Sequence, residues 1–201
     1  MKSDEYEKEV NSAVAEALQK MESIFGVNDV LVKVEENPEN TIPETGVGGF
    51  TPDSHTIFVY YDTSNTNLKD NLRGKIKSTV AHEFHHAIRN RSFSWKEDTL
   101  LGAMVTEGLA DHFDIEVNGG GPKPWSVAFA DREIEMVRKI AEQEFDSREY
   151  NHNEWFFGSE DKNIPKWAGY AIGFKLVGDY LQKTGKKPSI LASEPAETFL
   201  I

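Results

Sequence analysis

The sequence predicts a fold that mixes helices with a few strands, because two kinds of apolar periodicity occur along the chain. Residues spaced for one face of a helix recur over 4–25, 72–90 and 99–117. Residues 29–35 and 56–62 instead carry the β-branched and aromatic residues typical of strands. The chain has 201 residues, 38% of them hydrophobic and 11% aromatic, which is enough for one sizeable core and one domain.

Glycine and proline delimit the elements of the first half. Gly26 ends the first helix, and residues 37–49, rich in Pro, Gly and Asn, predict a loop between the two strands. The second strand, over 56–62, could offer an open edge to an extended peptide. The alternative, to which we give equal weight, is that this strand belongs to a hairpin that only covers the core.

The second half is predicted to be mostly helical. After the helix over 99–117, a charged helix spans 131–146, and a long helix opens at Pro165 and ends at Gly185. A short helix over 188–200 follows. The charged helix is expected to turn these residues inward: Ile134, Val137, Ile140 and Ala141. Between the charged helix and the long helix, residues 150–158 are predicted to form a polar and aromatic loop, and such a loop is often functional.

The composition argues against several classes of function. The net charge is −12 and the pI about 5.0, which disfavours nucleic acid or an anionic membrane as a partner. The chain has no cysteine, so any metal must be held by imidazole and carboxylate groups. No apolar run reaches the roughly 18 residues of a membrane span. No signal peptide is visible, so we expect a cytoplasmic location, with a removed export signal as the alternative.

A short motif in the second predicted helix carries candidate ligands and a candidate base at helical spacing. His82 and His86 stand four residues apart and share one face of the helix, with Glu83 beside them. Two such imidazoles can bind one Zn²⁺, and the glutamate can take a proton from the water that the metal activates. An apolar stripe runs along the helix beside these three residues: Leu72, Ile76, Val80, Phe84 and Ile88. The alternative is a pair of solvent-facing or capped histidines on an ordinary amphipathic helix.

The next predicted helix can supply a third ligand. Glu107 lies 21 residues after His86, and Asp111 follows one turn later on the same face. Two histidines and one glutamate leave a fourth zinc position open for water. Asp111 could accept a hydrogen bond from the free nitrogen of a ligand histidine and so fix its tautomer. The alternative is that both residues are ordinary helix carboxylates facing solvent.

These segments resemble a known group of enzymes. Residues 82–86 and 107–113 resemble the gluzincin clan of zinc metallopeptidases. Residues 48–50, 152–158 and 165–173 narrow the resemblance to the YjaZ-like family of predicted zinc-dependent proteases. The resemblance covers about 46–201, and the N-terminal helix and strand within residues 1–45 add little to it.

The resemblance implies both a fold and a set of roles. The fold would be a single zincin-like α+β domain over 1–201, with a small sheet on the metal-binding helix and a mostly helical C-terminal half. By position, the zinc ligands are His82, His86 and Glu107, and the general base is Glu83. Asp111 matches the acidic residue that supports a histidine ligand, although close relatives often carry the longer Glu there.

A second electrophile is expected to stabilise the developing oxyanion, and a histidine or tyrosine commonly serves. Of the six histidines, three are predicted to lie at the periphery: His55 at the surface, His85 pointing to solvent and His112 facing away from the ligands. His152 remains, downstream of the ligands as the clan's catalytic histidine is. Tyr170 is the other candidate, flanked by Gly169 and Gly173, which allow close approach to another backbone. The alternative is that His152 caps a helix or forms a hydrogen bond within its loop, and that Tyr170 belongs to the core.

The resulting hypothesis is a zinc-dependent peptide hydrolase that acts on a peptide or protein, with Glu83 as its base. One alternative is a metal-dependent hydrolase of a non-peptide amide, because the site predicts chemistry better than substrate. The other is a zinc-binding regulatory protein without activity, which a retained Glu83 disfavours, because a structural zinc needs no base. The sequence does not indicate the oligomeric state, the cleavage preference or the substrate.

Overall fold

The computed structural model describes residues 3–94 and 98–201 and confirms the mixture of helices and strands. These residues contain seven α-helices and one three-stranded sheet. They form two compact units, Met1–Arg91 and Ser92–Ile201, and that the two act as one domain stays a prediction. Across the described part of the chain, no helix combines the length and apolar character needed to cross a bilayer.

The first unit combines the sheet with three helices. In chain order its elements are α1 Ser3–Phe25, β1 Leu31–Glu36, β2 Val47–Phe50, β3 Thr56–Tyr61, α2 Thr66–Lys69 and α3 Leu72–Arg89. Helix α1 ends where predicted, because Gly26 takes the left-handed conformation (φ +67°) that favours glycine. Its last residue, Phe25, stacks on Phe84 of α3 with ring centroids 5.8 Å apart. Helix α3 also packs on β2 and β3, and the inward residues Ile57 and Val59 of β3 are fully buried.

The sheet order is β1-β3-β2, which corrects two expectations. Strand β3 pairs in parallel with β1 and antiparallel with β2, so it offers no open edge. The predicted loop over 37–49 contains most of β2, because Val47–Phe50 uses its backbone groups to pair with β3. Glycines weaken the strand signal there, and only the pairing reveals it.

The second unit contains four helices: α4 Leu100–Asn118, α5 Asp131–Ala141, α6 His152–Phe157 and α7 Ala168–Thr184. Helix α4 lies directly against α7 at two glycines. A Cβ added to Gly173 would lie 1.8 Å from the carbonyl oxygen of Met104, and one added to Gly108 would lie 2.2 Å from the carbonyl oxygen of Gly173. The expected close approach of Gly173 to another backbone is therefore present, whereas Gly169 approaches the side chain of Phe156.

The boundaries of several predicted elements shift in this unit. Helix α5 ends at Ala141, and Ile140 is exposed rather than inward, because it lies about 100° around the helix from Ala141 and about 120° from Ile134. The predicted loop over 150–158 contains the short helix α6. The last long helix begins at Ala168, and the terminal helix is replaced by two 3₁₀ turns, Pro188–Ile190 and Ala196–Phe199.

Candidate active site

Helix α3 carries the candidate ligands of the first unit on its partly exposed side. Asn71 caps the helix by accepting a hydrogen bond from the Gly74 amide. The apolar stripe of the same helix, which includes Ile76, Val80 and Phe84, is buried and so fixes the direction in which the histidines point. His82 and His86 are both half-buried, and their ring centroids lie 4.5 Å apart at an interplanar angle of 86°. Two imidazoles on successive turns, this close, can turn one nitrogen each toward a shared ion.

Glu83 is buried on the same helix, with only 7% of its surface exposed. Thr51, directly after β2, donates its hydroxyl hydrogen to Oε2 of Glu83 at 2.6 Å, and the hydroxyl also lies 3.1 Å from the main-chain oxygen of Glu83. Gly49 of β2 borders the other carboxylate oxygen, since a Cβ added there would lie 2.4 Å from Oε1. The candidate base is thus held between a hydroxyl and a strand backbone, at the edge of the sheet.

The prediction that His85 points toward solvent is wrong. Its side chain is fully buried, and its ring meets Phe25 edge-on with centroids 6.3 Å apart. The reason is tertiary: helix α1 covers this face of α3, which the periodicity of α3 alone leaves open. His85 contacts the core and lies apart from the side that carries His82 and His86.

The predicted ligands divide between the two units, since Glu107 belongs to α4 of the second. Its side chain is half-buried, and one turn later Asp111 is 2% exposed. Oδ2 of Asp111 accepts hydrogen bonds from Nε1 of Trp125, at 3.1 Å, and from the hydroxyl of Ser126. Asp111 therefore anchors the segment that follows α4, and its support of a histidine ligand stays a prediction.

The two candidate oxyanion donors both contact one aromatic ring, that of Phe156. His152 opens α6 and stacks on Phe156 with centroids 4.2 Å apart. Tyr170 of α7 meets the same ring edge-on at 4.9 Å and lies 6.3 Å from the ring of Trp125. Asn151, not His152, caps α6, since its side chain accepts a hydrogen bond from the Glu154 amide. The second unit thus brings the two candidates together.

The negative charge of Glu107 acts on the pKa values of two nearby side chains, Tyr150 and His152. Burial raises the pKa of Tyr150 to about 12, and the negative charges of Asp98 and Glu107 contribute in the same direction. His152 is exposed overall, but partial burial of its imidazole lowers its pKa, and the charge of Glu107 opposes that effect. The lowered pKa favours the neutral imidazole, which keeps one N–H that can donate a hydrogen bond.

The remaining histidines lie where sequence reasoning expected them. His112 binds the main-chain oxygen of Phe174 through Nε2 at 2.9 Å and stacks on that ring, so it ties α4 to α7. Burial lowers its pKa. His55 lies at the surface, with Nδ1 3.3 Å from a carboxylate oxygen of Asp29.

Sequence reasoning missed four residues that contact the candidate site: Gly49, Thr51, Trp125 and Ser126. The glycine pair Gly48 and Gly49, which lies within β2, could have signalled the contact of Gly49. Glycine in a strand often marks the close approach of another group. Thr51 lies 32 residues before Glu83, and no local pattern connects the two.

Comparison with known proteins identifies a family and two relatives. The family described as "Predicted Zn-dependent protease (DUF2268)" matches residues 7–201. The chain is 30% identical over 133 residues to the uncharacterized protein YjaZ of Bacillus subtilis (strain 168), a match that covers 63% of this chain and 50% of YjaZ. It is 24% identical over 159 residues to the uncharacterized protein YjfC of the same organism, covering 73% of this chain and 52% of YjfC. The chain therefore spans about half the length of these curated relatives.

No solved structure matches the chain significantly. The family match extends over nearly the whole sequence and includes most of α1 as well as the helices that carry the candidate ligands. The chain belongs to the DUF2268 family of predicted zinc-dependent proteases.

Proposed function

We propose that this chain is a zinc peptidase of the gluzincin type, in which His82, His86 and Glu107 hold the metal and Glu83 is the general base. The family description supports the zinc and the proteolysis at a coarse level. The observation that carries the finer proposal is the state of Glu83. This carboxylate is buried, anchored by Thr51 and adjacent to two imidazoles on one helix face. A protein that used the metal only for stability would have no need of such a group.

The residues fit zinc in type and arrangement. Each of the three proposed ligands offers one atom, an imidazole nitrogen or a carboxylate oxygen, and these are donors that zinc prefers. Perpendicular imidazoles on successive turns of α3 can approach one ion without steric conflict. Three protein ligands leave one position open, which is characteristic of a catalytic rather than a structural site.

When bound, zinc supplies Lewis acidity that activates water and polarises a carbonyl group. Glu83 takes the proton of the attacking water and then passes it to the leaving amine, so one carboxylate serves both steps. His152 or Tyr170 donates a hydrogen bond to the oxygen that becomes negatively charged. The shared contact of both side chains with Phe156 supports this assignment.

The test compares Glu83→Gln with the wild-type protein for zinc content and for hydrolysis of a mixture of peptides. We expect one zinc per chain in both proteins and a loss of turnover of roughly 10²–10⁴ in the variant, the usual contribution of a general base. The matched control is Glu39→Gln, a surface glutamate far along the chain from the motif, which should keep full activity.

Two results would contradict the proposal. A metal-free Glu83→Gln protein would make Glu83 a ligand rather than a base. A zinc-loaded wild-type protein that cleaves no peptide but hydrolyses small amides would favour a hydrolase of another substrate class.

A further inference from the structure

The hydroxyl of Thr51 makes a direct contact with the side chain of Glu83. Thr51 follows β2 immediately and is 7% exposed, so water competes little for its hydrogen bond. Its Oγ1 lies 2.6 Å from Oε2 of Glu83 and 3.1 Å from the main-chain oxygen of the same residue. A hydroxyl has a single hydrogen to donate, and the shorter contact to a carboxylate is the stronger one.

Gly49 shapes the other side of the carboxylate. A Cβ at this position would lie 2.4 Å from Oε1 and 2.5 Å from Cγ of Glu83, distances at which the side chain would have to move. The backbone of β2 therefore borders Glu83 directly. Only glycine leaves the space that this rotamer of Glu83 occupies.

We propose that Thr51 and Gly49 are positioning residues for the general base, an inference that rests on the proposed function. Thr51 anchors Oε2 through its hydroxyl, and Gly49 leaves room for Oε1, the oxygen that takes the proton from water. The pair fixes one rotamer of Glu83 before substrate binds. This lowers the cost of reaching the reactive geometry, which is how a precisely held catalytic group contributes to rate.

The kinetic test uses Thr51→Val, which keeps the shape of the side chain and removes the hydroxyl. We expect kcat to fall about 10- to 100-fold, less than complete loss of a general base would cost. KM should stay within about twofold and zinc content should be unchanged, because the hydroxyl acts on the base and not on substrate binding. Thr51→Ser restores the hydroxyl and should recover most of kcat.

Thr45→Val is the matched control. The Thr45 hydroxyl lies in the turn before the same strand, 2.9 Å from the main-chain oxygen of Val47 and 3.2 Å from that of Ile42. Its loss should lower the melting temperature while kcat stays at the wild-type value. If Thr51→Val also keeps the wild-type kcat in an active enzyme, the inference is wrong although the proposed function stands.

A second readout needs no activity. In metal-free protein, Thr51→Val should lower the melting temperature more in the wild-type background than in the Glu83→Ala background, where the hydroxyl has lost the carboxylate and keeps only the longer contact with the main-chain oxygen. Equal decreases in the two backgrounds would overturn the positioning contact. If the wild-type protein cleaves no peptide, the proposed function fails, and this cycle still decides whether Thr51 holds Glu83.

Gly49→Ala tests the second half of the inference. The new methyl group should displace the carboxylate and reduce kcat at least as much as Thr51→Val, with zinc retained. Gly121→Ala is the control, because nothing lies within 4 Å of a Cβ there. A Gly49→Ala protein that folds, binds zinc and keeps its kcat would exclude a role for Gly49.

Discussion

Phe156 is the residue that organises the candidate oxyanion donors. Its ring stacks on that of His152 and makes a T-shaped contact with that of Tyr170. Gly169 makes this possible, since a Cβ there would come within 2.8 Å of the Phe156 ring. One buried side chain therefore determines the orientation of two polar groups, and truncation of Phe156 would disturb both at once.

We expect His152→Ala or Tyr170→Phe to reduce kcat by roughly 10²–10³, as loss of one oxyanion donor typically does. Zinc content and melting temperature should change little, because neither residue is a proposed ligand. Steady-state kinetics on a peptide substrate measures the effect, with His55→Ala as a surface control. Wild-type kcat in both variants would leave the oxyanion to zinc or to a backbone donor.

Tyr150 provides a pH-dependent prediction. Its folded-state pKa of about 12 exceeds the value near 10 of an unfolded chain, so the folded protein holds the phenolic proton more tightly. The resulting stability is present below about pH 10 and is lost as the pH rises toward 12. Urea unfolding at about pH 9 and about pH 11 should show a smaller decrease for Tyr150→Phe than for the wild-type protein. Equal decreases would contradict the raised pKa.

Strand β2 is the element that relates the sheet to the candidate base, although it has only four residues. Its position in the sheet depends on pairing with β3, and its Gly49 and the following Thr51 contact Glu83. Because the strand is short and half glycine, its own propensity for extended structure is weak. Its conformation depends on the tertiary structure around it.

The crossing of α4 and α7 gives a prediction for stability. Gly173→Ala would direct a methyl group at the carbonyl oxygen of Met104, 1.8 Å away, and a backbone cannot move aside as a side chain can. We expect a loss of about 1–3 kcal/mol in the free energy of unfolding, as in other overpacked cores. Thermal unfolding measures it against Gly121→Ala, whose added methyl group meets no neighbour. An unchanged melting temperature would mean that the helices separate without cost.

The sequence predicted those elements whose own periodicity is strong. Helices α1, α3 and α4 were found within a residue or two because each carries a long apolar stripe and a cap or glycine at its end. Strand β2 and helix α6 were missed, because each is short and depends on tertiary packing.

Side-chain directions show the same limit. Helical spacing alone places His82 and His86 one turn apart on α3, and their ring centroids lie 4.5 Å apart. His85 was assigned to solvent because the sequence of α3 does not reveal that α1 covers it. Thr51 was missed because its contact joins residues 32 positions apart.

For the whole molecule, the prediction concerns the proposed zinc, to which His82, His86 and Glu107 can each offer one ligand atom. Removing zinc with a chelator should then lower the melting temperature by roughly 5–10 °C when zinc had been about 100-fold above its dissociation constant. Calorimetry before and after chelation measures the change. The His82→Ala/His86→Ala double variant should show no response, whereas Glu83→Gln should respond as the wild-type protein does. An unchanged melting temperature in verified metal-free wild-type protein would exclude a tightly bound ion.

The backbone contact between Gly108 and Gly173 also affects how the second unit can move. Where two helices touch backbone to backbone, no side-chain layer exists to deform, so one cannot slide along the other unless they first separate. Glu107 adjoins Gly108, and Tyr170 lies three residues before Gly173, so both are fixed to this rigid joint. Any hinge motion of this unit would carry the two side chains as one body. Their mutual spacing would therefore stay the same during such a motion.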